Sequence, residues 1–125
     1  METFKLVMPE NLNHFGYLFG GYMLKWVDEF AWIAATLDFP NFTFVTIGMD
    51  KIEFKQSVRQ GSILRFLTRQ VQIGRTSVTY RVDVMPGDLA ESEERSIFST
   101  NVTMVRVDAT GQKIPIRESS VNSNQ

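Results

Sequence analysis

The chain has 125 residues and a formal charge of -1, from 13 Lys and Arg against 14 Asp and Glu. It is sized for one domain and carries no global field that would gather nucleic acid or an anionic membrane. With no cysteine and a single histidine, it has no disulfide framework, no thiolate nucleophile and no cysteine metal site, most zinc constellations are excluded, and a cytoplasmic setting is the simplest reading.

No basic-then-apolar leader opens the chain, and nowhere do about eighteen apolar residues run together. Residues 3–8 alternate well enough for a short strand, which Pro9 ends. A structured loop follows. From 20 to 37 the apolar positions Met23, Trp26, Val27, Phe30, Ala31 and Ala34 recur at helical spacing, and Phe39-Pro40-Asn41 stops the helix. Four β-rich runs come next, at 42–54, 62–73, 76–85 and 95–107, punctuated by Gly61, Gly74 and Pro86-Gly87. The second and third of these runs are expected to pair antiparallel through a tight turn at Gly74-Arg75. The acidic stretch 88–94 reads as a solvated loop, and the Ser- and Asn-rich tail 118–125 as disordered, leaving 1–117 as a single domain. The order is β-α-β-β-β-β: an α+β fold with one long helix against antiparallel strands.

Two chemical features stand out. Gly20 and Gly21 open the helix with backbone N–H groups that no side chain need cover, the makings of an oxyanion site. Asp28 follows two turns later, at the boundary between the apolar arc and the polar side marked by Lys25 and Glu29. Taken alone, such an Asp reads more readily as a solvated boundary residue than as a catalytic base, and paired glycines also serve close packing. Asn13, by composition alone, reads as a turn residue.

The pattern Asn13-x-x-Gly16-x-x-Phe19-Gly20-Gly21, then Met23 and Trp26-Val27-Asp28-Glu29, resembles the hot-dog-fold acyl-CoA thioesterases. The likeness continues through Val45-Thr46, Phe54, Gly61, Ile73-Gly74-Arg75-Thr76-Ser77-Val78 and Ile114-Pro115, and covers roughly 4–115. The resemblance implies a long central helix wrapped by an antiparallel sheet and an enzyme that splits acyl-CoA into free acid and CoA. It gives the Asp28 position the role of general base or nucleophile, lets the Asn13 position complete the site from a partner subunit, and puts oxyanion donors at Gly20 and Gly21. CoA, carried in as part of the substrate, is the only cofactor implied; metal, flavin and nicotinamide groups have no motif here. Gly74, Arg75, Thr76 and Ser77 are the candidates for holding CoA, with Thr46 and Arg59 as further substrate-binding candidates.

Family members often carry Lys-Pro where this chain has Gln56-Ser57, and Gly-Asp where it has Gly61-Ser62. Phe15 and Tyr17 stand where close relatives are commonly polar. Self-association into a dimer, and onward to a tetramer or hexamer, is implied by the fold resemblance, with neither nucleic acid nor membrane as partner. Two rivals remain: a non-enzymatic acyl-CoA-binding module, and an acyl-thioester dehydratase that uses His14.

Overall fold

The computed structural model describes residues 1–87 and 95–116. The acidic stretch 88–94 and the tail 118–125 lie outside the described residues. In chain order the elements are β1 (Glu2–Leu6), a 3-10 turn (Pro9–Asn11), α1 (Gly20–Asp38), β2 (Thr43–Phe54), β3 (Ile63–Ile73), β4 (Ser77–Pro86) and β5 (Phe98–Val107). The strands form one antiparallel sheet in the order β1-β3-β4-β5-β2.

Helix α1 buries Met23, Trp26, Val27, Phe30, Ala31, Ala34 and Ala35, one stripe at three- and four-residue spacing. That stripe lies on the inward residues of the sheet. Trp26 and Phe30 meet Phe66 of β3 edge-on, with centroids 6.4 and 4.9 Å apart. Val78, Tyr80, Val82 and Val84 of β4, and Phe98, Val102 and Met104 of β5, complete the core at period two. The helix ends at Phe39, whose N–H closes on Ala35 O, and Asn41 then turns the chain with φ 72°. Phe39, Phe42 and Phe44 cluster behind this turn.

The outermost strands are β1 and β2. Strand β2 buries only Phe44 and leaves Val45, Ile47, Ile52 and Phe54 exposed. Its pairing with β5 shifts register twice, between Thr46 and Gly48 and between Asp50 and Glu53, with Lys51 at φ 54°. Such bulges add a residue to one strand and bend it. The carbonyl of Asp50, at the second bulge, is taken up by the buried Thr100 hydroxyl at 2.7 Å. Among the described residues, no helix is long and apolar enough to cross a membrane.

Candidate active site

The start of α1 is bare. Its N-cap is Phe19, no side chain caps it, and no acid sits in the first turn. The N–H groups of Tyr22 and Met23 bond to Phe19 O, whereas those of Gly20 and Gly21 have no acceptor among the described residues. Two donors at the positive end of the helix dipole are thus available to an anion or a polarised carbonyl. A Cβ on Gly20 would stand 3.4 Å from the Phe54 ring, and one on Gly21 would strike the Phe19 ring at 2.6 Å.

Gly20 forms part of a cavity of about 700 Å³, together with Asn13, Tyr17, Met23, Phe54 and Lys55. The loop over it is organised by Asn13, whose side-chain oxygen accepts from the N–H groups of Phe15 (2.9 Å) and Tyr17 (3.1 Å). Two backbone donors on one atom fix that atom as the oxygen. The Asn13 NH2 consequently faces other directions and has no partner among the described residues. Gly16, at φ 87°, allows the tight turn. Arg59 straps the loop from outside: its guanidinium lies 5.3 Å from the Tyr17 ring centre, and the two residues form an isolated β-bridge. His14 is exposed at the loop tip and lies against Phe15 with the rings tilted by 40° and centroids 4.0 Å apart.

Asp28 is half-buried on the side of α1 that faces β2. The Thr46 hydroxyl donates to its Oδ1 at 2.6 Å, leaving Oδ2 without a partner among the described residues. One turn on, the Trp32 indole N–H donates to Phe44 O at 3.3 Å. Phe44 and Thr46 share the helix-facing side of β2 by period two, and the bulge that begins at Thr46 ends this register. That alternation was the available signal for pairing Thr46 with the helix carboxylate, since a threonine two positions from a buried phenylalanine faces the same way.

The structure brings Asn13 and Gly20 to one cavity, and Asp28 and Thr46 to another place. At about 1.5 Å of rise per residue, Gly20 and Asp28 are separated by about 12 Å along the helix axis. A carbonyl held by the Gly20 N–H therefore lies out of hydrogen-bond reach of the same chain's Asp28.

Residues 74–77 form the β3–β4 turn, closed by Gly74 N–H to Ser77 O at 2.7 Å. The exposed Arg75 side chain has no partner among the described residues. Ser77 pairs with Val105, which pairs with Val45, so the turn sits two strands inward from the row next to Thr46. Arg59, occupied by Tyr17, stands apart from this turn. One further polar pair was not foreseen: the Tyr80 hydroxyl donates to Asp38 Oδ2 at 2.6 Å, and burial, reinforced by that carboxylate, pushes the Tyr80 pKa upward.

A family model described as the thioesterase superfamily matches residues 15–93. Protein VdlD of Helicobacter pylori is 30% identical over 111 residues, covering 89% of this chain, and the chain spans 63% of VdlD's length. An uncharacterized acyl-CoA thioester hydrolase of Zymomonas mobilis, ZMO0511, is 31% identical over 103 residues, with 82% of this chain and 68% of the relative covered. Among solved structures, Cj0915 of Campylobacter jejuni, a hexameric hotdog fold thioesterase, is 32% identical with a TM-score of 0.80, covering 92% of this chain and 88% of that one. Among the described residues, one α-helix lies on a five-stranded antiparallel sheet, which is the hot-dog fold.

Proposed function

The chain belongs to the thioesterase superfamily, and from that membership and the geometry around Asp28 we propose that it is an acyl-CoA thioesterase, hydrolysing acyl-CoA to a free carboxylic acid and CoA. The observation that carries this reading is the Asp28 carboxylate held by the Thr46 hydroxyl at 2.6 Å beside the open β2 edge, with Oδ2 left to act. As general base, Asp28 takes a proton from water while the water oxygen attacks the thioester carbon. The carbonyl electron pair moves onto oxygen, where helix-start N–H groups stabilise it. Collapse of the intermediate breaks the C–S bond and releases CoA as a thiolate, a leaving group that needs no histidine acid. Direct attack by Asp28 on the carbon, breaking the C–S bond to expel the CoA thiolate, followed by hydrolysis of the resulting acyl-aspartyl anhydride by water, uses the same residues.

The axial separation of about 12 Å between Gly20 and Asp28 supports a site built from two copies. One chain contributes Asn13 and the Gly20 and Gly21 donors, and its partner contributes Asp28 and Thr46. The exposed apolar β2, an outermost strand that carries Thr46, is the edge we assign to this pairing. Assembly of such dimers into hexamers follows the example of Cj0915, which is hexameric. Arg75, Thr76 and Ser77 then serve the CoA phosphates, and no cofactor besides the substrate's own CoA is required. A cytoplasmic site of action is part of the same proposal.

Thiol release from a panel of short-, medium-, long-chain and aryl acyl-CoAs tests the proposal, with the wild type set against a folded Asp28→Asn variant. Turnover that falls by about three orders of magnitude in the variant is expected. Saturable binding without thiol release at any chain length would overturn it in favour of a binding module. Hydration of an enoyl-CoA without thiol release, lost in His14→Ala and retained in Asp28→Asn, would instead turn the reading to a dehydratase.

A further inference from the structure

The end of the described chain doubles back on the turn that we assign to CoA. After β5 a tight hairpin, held by Asp108 accepting from the N–H groups of Thr110 and Gln112 and from the Thr110 hydroxyl, reverses the chain. The returning segment 113–116 crosses to the β3–β4 turn, where Ile116 N–H donates to Arg75 O at 2.8 Å. Ile116 itself is buried.

Arg106 is the hub of this arrangement. Its backbone N–H holds Thr76 O at 2.9 Å, and its carbonyl accepts from Ile114 N–H at 3.0 Å. Its guanidinium donates to Pro115 O at 2.8 Å and lies 3.5 Å from the centre of the Phe42 ring. The carbonyls of Arg75 and Thr76 are thereby tied down from behind. Their N–H groups have no acceptor among the described residues, and the Arg75 side chain projects into solvent. A turn with two carbonyls pinned and the two N–H groups at its centre left open is pre-organised for an anion, because its backbone need not rearrange on binding.

We infer that Arg106 is a positioning residue for CoA, acting through the strap 113–116 to hold the turn 74–77 with the N–H groups of Arg75 and Thr76 and the Arg75 side chain toward the phosphates. This inference rests on the thioesterase reading for the identity of the ligand. Arg106 touches neither CoA nor the reacting carbon. Its effect therefore belongs in KM, and only for substrates that carry nucleotide phosphates.

The experiment compares an acyl-CoA with the same acyl group on pantetheine, which lacks those phosphates. Arg106→Gln is expected to raise KM for the acyl-CoA about tenfold, with kcat and the KM for acyl-pantetheine within about twofold of wild type. Arg106→Lys, which retains the charge but not the planar stack on Phe42, is expected to recover part of the loss. Ile116→Ala, loosening the strap at its other end, is expected to shift KM in the same direction. Adding Arg106→Gln to Arg75→Ala is expected to cost less than the two separate effects combined. An equal rise in KM for both substrates, or a fall in kcat alone, would overturn the inference. If the wild type releases thiol from neither substrate, the thioesterase reading fails by itself. Calorimetric titration with free CoA then decides the role of Arg106: weaker binding in Arg106→Gln sustains it, and unchanged binding ends it.

Discussion

The Thr46 hydroxyl donates to the Asp28 carboxylate across 2.6 Å, so an exposed strand and the central helix meet at a half-buried acid. The bond does more than join the two elements. By engaging Oδ1 it fixes the carboxylate plane and determines which oxygen remains free, which in a base or nucleophile sets the line of proton transfer or attack.

Thr46→Val keeps the shape and removes the donor. A hydrogen bond to a charged group contributes about 1.5–3 kcal/mol, so kcat is expected to fall roughly 10- to 100-fold, with little change in thermal midpoint. Thr46→Ser is expected to retain most of the rate. Equal losses in both variants, measured by thiol release, would show that the hydroxyl does not orient Asp28.

Two inactive variants should rescue one another. If Asn13 and Asp28 of one site come from different copies, co-refolding Asn13→Ala with Asp28→Asn produces mixed dimers in which one site has both native residues. Random assortment predicts recovery of about a quarter of wild-type activity. A mixture as inactive as its parents would place both residues of each site in the same chain.

Gly20→Leu extends a side chain from the helix start toward Phe54, whose ring lies 3.4 Å from the position of a first added carbon. The variant is expected to fold, because Gly20 borders a cavity and not the packed core. It is also expected to lose at least tenfold in kcat/KM as that cavity fills. Circular dichroism and thiol release together check both statements, and full activity in the variant would move the acyl group elsewhere.

Tyr80 gives a stability prediction with a definite sign. Its pKa is raised in the folded state by burial and by Asp38, so the unfolded chain ionises first, near pH 10, while the folded chain keeps its proton. The stabilisation is fully present below about pH 10 and declines as pH rises beyond it. Tyr80→Phe is expected to cost about 1 kcal/mol at pH 7, and its deficit relative to wild type should shrink above pH 10. Urea denaturation at pH 7 and 10.5 measures the difference, and a deficit independent of pH would refute the assignment.

Much of this architecture is legible in the residues. The stripe from Met23 to Ala34 defines the helix because its period matches 3.6, and the structure extends the expected 20–37 by one residue. The four β-rich runs appear as β2 to β5 with later starts, β4 running one residue further than expected to Pro86, and Gly74 closes the expected hairpin. The sheet order is a different kind of fact. It places β1 beside β3 and β2 at an edge through long-range pairing that no local pattern encodes. The bulges of β2 were equally hidden, since Ile47 and Lys51 look like ordinary strand residues. The site follows the same division. Gly20-Gly21 and Asp28 stand out by residue type, and Asn13, read as a turn residue, organises its own loop through Phe15 and Tyr17, whereas Thr46 on Asp28 and the hub at Arg106 exist only once distant segments meet.

The open edge of β2 has a consequence for handling and for regulation. Its backbone groups and the exposed Val45, Ile47, Ile52 and Phe54 want a cover, and the proposed chemistry needs the same cover to become complete. Dilution would then silence the enzyme well before it melts, specific activity would climb with subunit concentration, and chains left single would be the ones that clump. Quality control and catalytic control would be a single event.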